Sequence, residues 1–183
     1  MERKNYFLSV TIVIILLAIS FGCKKKDSDS TAQYTIGQSY GGGIVFYVDG
    51  TGEHGLIAST TDQSTSSKWG CMGTSVPGAV DSIVGVGAAN TTSITTTCTT
   101  AGIAAKLCND LVLGGFSDWF LPSKAELDLM YQQKSAIGGF SVYGYWSSTE
   151  RGNGTAWVQY MSDGVKMTFN KSDACCVRAV RAF

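Results

Sequence analysis

Apolar residues in this chain come in short runs punctuated by glycine, and the runs fall into three groups. Gly43-Ile-Val-Phe-Tyr-Val-Asp49 is β-branched and aromatic, and Gly55-Leu-Ile-Ala-Ser-Thr60 follows after a glycine-rich gap, which together predict a hairpin. Residues 61–100 show no sustained period and are rich in Ser, Thr and Gly, so they read as a long irregular excursion with a turn at Val76-Pro77-Gly78. Residues 101–113 then place Ile103, Ala104, Leu107, Cys108 and Leu111 on one helical face, with Gly114-Gly115 as a stop. Pro122-Ser-Lys-Ala-Glu126 has the spacing of a capping box, in which Ser123 and Glu126 satisfy each other's backbone N–H groups, and the helix it opens buries Leu127, Met130 and Tyr131. After Gly138-Gly139 the period returns to two, predicting strands over 143–149, 155–161, 165–169 and 175–183. Strands, a long loop, two helices and then strands make an α+β domain.

Ahead of this domain lies a segment of another kind. Arg3 and Lys4 precede nineteen uncharged residues, 5–23, that include the apolar run 10–19. A basic start and an apolar centre are the pattern of an export signal, although the run is also long enough to span a bilayer. Gly22-Cys23 followed by Lys24-Lys-Lys-Asp27 resembles the lipobox of bacterial lipoproteins and favours the first reading. The resemblance implies a signal peptide over 1–22, acylation of Cys23, a lipidated tether over 23–33 and a folded domain over 34–183. The protein is then exported and held at an outer membrane or cell surface by lipid on Cys23, since two or three acyl chains give stable anchoring.

Charge and rare residues exclude several chemistries. Charged residues make up 15% of the 183, and after residue 29 nine Lys and Arg are scattered among eleven Asp and Glu. Without a basic cluster to neutralise phosphates, nucleic acid is excluded as a partner. His54 is the single histidine, which leaves little for a zinc hydrolase or an imidazole relay. Gly50-Thr-Gly-Glu-His-Gly55 matches the dinucleotide fingerprint in letters, but a strand and not a helix follows, so no cofactor is expected and His54 reads as a turn residue. Beyond Cys23 there are five cysteines, Cys71, Cys98, Cys108, Cys175 and Cys176, which allow at most two internal bridges. No Cys-x-x-Cys spacing occurs, which gives a zinc site little support and leaves metal binding open. Cys175 and Cys176, as neighbours on a strand, point to opposite faces.

Four segments in order carry a family likeness: Gly114-Gly-Phe-Ser-Asp-Trp-Phe-Leu-Pro-Ser-Lys-Ala-Glu-Leu-Asp-Leu-Met-Tyr131, Tyr145-Trp-Ser-Ser-Thr-Glu150, Ala156-Trp157, and Val177-Arg-Ala-Val-Arg181 with Phe183. Over residues 40–183 the chain resembles the Lcl C-terminal domain family, named after a collagen-like bacterial adhesin. That resemblance implies a C-type-lectin-like fold, in which two helices pack on a small, twisted, mostly antiparallel sheet, the termini pair, and a long loop region presents ligand-binding surface. It implies binding of glycans or surface proteins at the bacterial surface, in adhesion or recognition, and no catalysis. It also implies a bridge from Cys108 to Cys175 or Cys176, with Cys71 and Cys98 tying the long loop. The Glu-Pro-Asn and Trp-Asn-Asp segments of calcium-dependent sugar sites are absent.

Within this frame Trp119, Trp146 and Trp157 are expected in the core, because a small fold with few Leu and Ile needs large rings to fill it. The candidate ligand residues are Trp69 in the long loop, and Tyr143, Glu150, Arg151 and Asn153, an aromatic, a charge pair and an amide in a glycine-punctuated segment. Two other functions compete: a structural assembly module of the outer membrane, in which the domain oligomerises, and a relative of the formylglycine-generating oxidases, for which Cys175-Cys176 is the sole reactive pair on offer.

Overall fold

The computed structural model describes Met1 and residues 33–183. Apart from Met1, the expected signal peptide, Cys23 and the tether up to residue 32 lie outside the described residues. Thr31–Phe183 is one compact unit, and every member of both core clusters lies inside it.

The described chain is α+β, with two open sheets. Strands β1 (Ser39–Tyr40), β2 (Gly43–Val48) and β3 (Gly55–Ser59) form an antiparallel meander. The last strand, β9 (Val180–Ala182), joins β3 to complete a sheet ordered β1-β2-β3-β9. The second sheet is ordered β4-β8-β5-β6-β7, from β4 (Ser64–Lys68), β8 (Ala174–Val177), β5 (Gly144–Gly152), β6 (Thr155–Tyr160) and β7 (Lys166–Asn170). All its pairings are antiparallel except β5 with β8, which touch at Tyr145 and Cys176. Tyr34, Tyr40 and Phe183 meet at tilted and edge-on angles at the point where the two ends of the domain come together, with ring centroids 4.5–5.1 Å apart.

Apolar packing occupies both sheet faces, and the strand period sorts residues between them. Ile57, Trp146, Val158, Cys175 and Val177 enter one buried cluster, while Leu56, Ala58, Tyr145 and Cys176 enter the other. This is why the strands read as continuous apolar runs rather than as alternating ones. A bulge between Val45 and Tyr47 in β2 accompanies a similar split, Val45 into the first cluster and Phe46 into the second. Trp119 and Trp146 are buried as expected, whereas Trp157 is half-buried with the Lys124 ammonium 3.4 Å from its ring centroid.

The excursion at 61–100 is more ordered than its pattern predicts. It contains β4, a 3-10 turn at Pro77–Ala79 and the helix α1 (Gly87–Thr97). The buried positions of α1 are Gly87, Asn90, Thr91 and Ile94, a helical spacing written mostly in polar letters. Those letters are anchored: Asn90 Nδ2 donates to Asp81 O at 2.8 Å, and Thr91 Oγ1 accepts from Leu121 N at 3.0 Å. On the outer face Thr92, Ser93, Thr96 and Thr97 donate to the carbonyls four residues back, which satisfies their hydroxyls without a tertiary partner.

The helix expected over 101–113 shortens to α2 (Ala104–Asn109). Gly102, at φ +74°, turns the chain into it, and Leu113 bridges back to Phe116 beyond it. The capping box forms as read: Ser123 Oγ accepts from Glu126 N at 3.2 Å, and Glu126 Oε2 accepts from Ser123 N at 2.8 Å, opening α3 (Lys124–Gln132). Glu126 Oε1 also accepts from Gly85 N at 2.8 Å, so the same carboxylate ties the segment before α1 to α3. Burial pushes its carboxyl up, against the lowering by these hydrogen bonds. A short α4 (Lys134–Ile137) follows.

Candidate functional site

The residues expected to bind ligand separate into three environments. Trp69 is fully buried, and its indole Nε1 donates to Ser147 O at 2.8 Å across the interior. This corrects the expected stacking platform: Trp69 sits among Val76, Ile94 and Trp146 in the first core cluster. Glu150 is likewise internal, ion-paired with the buried Lys171. Its carboxylate accepts from Val76 N at 3.0 Å, and the Lys171 ammonium donates to Thr74 O at 2.8 Å while lying 4.5 Å from the Trp69 ring centroid. A charge at Glu150 thus fastens the long loop to the sheet and is not offered to solvent.

Arg151 and Asn153 are exposed at the β5–β6 turn. Gly73 N donates to Asn153 O at 3.0 Å, so the long loop and this turn adjoin.

Cysteine pairing follows the implied scheme in one of its two bridges. Cys71 and Cys98 are bridged, closing a sequence separation of 27 residues. Cys108, Cys175 and Cys176 are free and buried, so the bridge from Cys108 to the last strands is not formed. Cys175 lies in the first core cluster with Cys108, and Cys176 in the second. Reduction of Cys71–Cys98 is expected to lower stability by about 3.5 kcal/mol, the loop-closure entropy of a ring that size. Urea melts with and without reductant check this, and an unchanged midpoint contradicts it.

Tyr143 immediately precedes β5, eight residues before Arg151 and at the other end of that strand. It is 67% exposed and follows Val142, 68% exposed. Val142 lines a cleft of about 230 Å³ whose other walls are Lys134, Ser135, Gly138, Gly139, Phe140, Ser141, Met161 and Ser162. The Lys134 ammonium donates to Met161 O at 2.7 Å and Ser162 O at 3.0 Å and sits 4.5 Å from the Tyr131 ring centroid. Among the described residues the ion pairs involve other lysines and two arginines, so carbonyls hold this cation without neutralising it.

The cleft wall is fixed from beneath. Arg178, fully buried, donates to Gly139 O at 2.6 Å and Gly138 O at 3.3 Å, and its guanidinium carbon lies 4.4 Å from the Phe140 ring centroid. Asp62 accepts from Arg178 Nε at 2.6 Å and from the Tyr145 hydroxyl at 2.8 Å, which in turn accepts from Ser141 N at 2.7 Å. Burial, with Asp62 beside it, pushes the Tyr145 hydroxyl up and keeps it a donor. Gly138 at φ +72° and Gly139 at φ +67° supply the left-handed turns that aim both carbonyls at the guanidinium. Lys134, Arg178, Asp62 and Tyr145 escaped the sequence reading. Tyr145 and Arg178 fall inside the segments that carry the family likeness, and the local signal for the cleft wall was the Gly138-Gly139 pair between helix and strand.

A wider groove of about 510 Å³ runs between Thr61, Asp62 and Gln63 and the α2 segment, floored by Leu107 and Leu111 and rimmed by the Lys106–Asp110 ion pair. No aromatic ring lines it. Burial raises the Cys175 thiol to about 12 and also pushes up Cys176 and Cys108. Thiols so shifted remain protonated and inert. His54 is exposed in the β2–β3 turn, and no group of three or more His, Cys, Asp or Glu among the described residues is placed to hold a metal ion.

The model of the Lcl C-terminal domain matches residues 58–181. The chain belongs to the Lcl C-terminal domain family. Comparison with curated proteins finds no match. The matched stretch holds the Tyr143 cleft, the Arg178–Asp62–Tyr145 network and the Trp69–Glu150–Lys171 cluster, so each candidate site is a feature of the Lcl C-terminal domain itself and not of the segment before it.

Proposed function

We propose that this Lcl C-terminal domain is a non-catalytic recognition module of the bacterial cell surface that binds saccharide in the cleft beside Tyr143. One observation carries the reading: an un-neutralised ammonium lines a pocket whose wall is fixed before any ligand arrives, and the exposed Tyr143 directly follows the lining residue Val142 in the chain. An aromatic face stacks on a sugar ring, the serine hydroxyls of the lining accept and donate to sugar hydroxyls, and Lys134 favours a sugar that bears a carboxylate or sulfate. A preformed wall lowers the ordering cost of binding. The net charge of the domain is slightly negative, so this preference is local to the cleft and not a bulk attraction.

The pairing of β9 with β3, near the start of the domain, supports kinship with lectin-like folds. The Gly22-Cys23 motif supports an exported, lipid-anchored protein, which puts the domain where surface glycans are.

The test is titration of an oligosaccharide selected by array binding. Tyr143→Ala removes a ring that no packing holds and is expected to weaken binding ~10-fold or more, on the order of 1–3 kcal/mol for a lost stacking or charged contact, with thermal unfolding unchanged. Arg151→Ala, on the turn at the other end of β5, is expected to leave the isotherm unaltered. Loss in Arg151→Ala with none in Tyr143→Ala moves the site to the β5–β6 turn.

A further inference from the structure

A sheet edge exposes backbone donors and acceptors that invite another strand, and proteins blunt such edges by shortness, bulges, polar side chains or cover. Three of the four edges in this domain are blunted. β1 has two residues. β9 is covered by Phe120, which exchanges hydrogen bonds with Val180 at 2.8 and 2.9 Å. β4 is broken by a bulge between Ser64 and Ser67 and carries Ser-Thr-Ser-Ser-Lys. β7 is neither short, bulged nor covered: it runs five residues in unbroken register with β6 and contains no proline, and although Lys166 and Thr168 put polar side chains on one face, the other face shows Met167 at 41% exposure, just after Val165 at 48%.

The ladder fixes which groups on β7 are free. Tyr160 N donates to Val165 O, and Lys171 N donates to Gly154 O, both at 2.9 Å. In an antiparallel pair bonded positions alternate, so Val165, Met167 and Phe169 turn their backbone groups toward β6. Lys166, Thr168 and Asn170 turn theirs outward. Asn170 is then used by the turn that follows, its N–H donating to Asp173 Oδ2 at 2.9 Å and its carbonyl accepting from Asp173 N at 2.8 Å. Two residues remain, Lys166 and Thr168, each with one free donor and one free acceptor.

We infer that β7 pairs antiparallel with the β7 of a second copy of this chain, in the register that sets Met167 opposite Met167. This register places Lys166 opposite Thr168 of the other copy, twice by symmetry, and makes four hydrogen bonds from the free groups alone. It sets Val165 opposite Phe169, so both exposed apolar side chains gain apolar partners. No like charges face each other, and Lys166 keeps its 2.7 Å ion pair with Asp128. Centring the pair on Thr168 instead makes two bonds, because it calls on the groups of Asn170 that the turn already holds. The arrangement is isologous and closes as a dimer. The interface is small, so the dimer is weak in solution. The inference is independent of the saccharide reading, since no residue of β7 lines the Tyr143 cleft.

The experiment uses the compact unit 31–183 in two parts. Sedimentation equilibrium up to about 1 mM, the weak end of specific affinities, is expected to show a monomer–dimer equilibrium in the native sequence. Met167→Lys, which sets two cations directly opposite, is expected to weaken it at least ~10-fold with an unchanged melting temperature. Oxidation of Met167→Cys is expected to give a covalent dimer, because directly opposite side chains in a non-bonded pair approach within disulfide reach. Thr168→Cys is expected not to. A native monomer throughout that range, a dimer indifferent to Met167→Lys, or cross-linking through Thr168→Cys in preference to Met167→Cys overturns the inference.

Discussion

Replacing Trp146 by alanine is expected to destabilise the domain by about 3–5 kcal/mol, the range for deleting a large buried aromatic. Trp146 is fully buried, its Nε1 donates to Ser67 O at 2.8 Å, and it meets Phe169 edge-on with ring centroids 6.4 Å apart. Truncation leaves a void that these fixed strands cannot close and a carbonyl on β4 without its donor. Urea melts followed by circular dichroism give the number. A loss below about 1 kcal/mol, the scale of surface changes, contradicts the placement of Trp146 at the centre of the fold.

The second large effect belongs to the Lys171–Glu150 pair. Both side chains are almost entirely removed from solvent, so neutralising one leaves the other charge buried and unmatched. Glu150→Gln and Lys171→Met are each expected to cost about 3–5 kcal/mol. The double replacement is expected to cost about 1–3 kcal/mol less than their sum, because the amide introduced by Glu150→Gln keeps an acceptor for Val76 N and no charge remains to be desolvated. A double-mutant cycle in urea reads this as a coupling of about 1–3 kcal/mol. Additive single effects contradict the pairing, and with it the reason Glu150 is not a ligand residue.

The parts of the fold legible from sequence are those where one physical signal dominates. The β2–β3 hairpin and β6–β7 carry β-branched and aromatic runs between glycine-rich turns, and the α3 start carries a capping box that forms with both of its hydrogen bonds. α1 was hidden because its inward positions are Gly87, Asn90 and Thr91, held by hydrogen bonds to Asp81 and Leu121 that no apolar period records. Trp69 misled for a related reason: its neighbours Gly70 and Cys71 read as loop, yet the loop folds inward over the sheet and takes the ring with it.

The same logic divides the candidate site. Tyr143 was legible as an aromatic residue beside glycines at a strand start. The network that shapes its cleft joins Asp62, Tyr145 and Arg178, which are far apart in the chain and become neighbours only when β8 and β5 lie side by side. The implied bridge from Cys108 failed because a family's cysteine habit says nothing about whether two thiols in one core cluster become bonded.

The central claim, that the cleft beside Tyr143 is the ligand site, is tested most directly by backbone amide chemical-shift mapping of the 31–183 unit during titration with an oligosaccharide selected by array binding. The account predicts saturable shifts concentrated at Lys134, Ser135, Ser141, Val142, Tyr143 and Ser162. Shifts centred instead on Arg151, Asn153 and Met72, or along the groove of Leu107 and Leu111, contradict it.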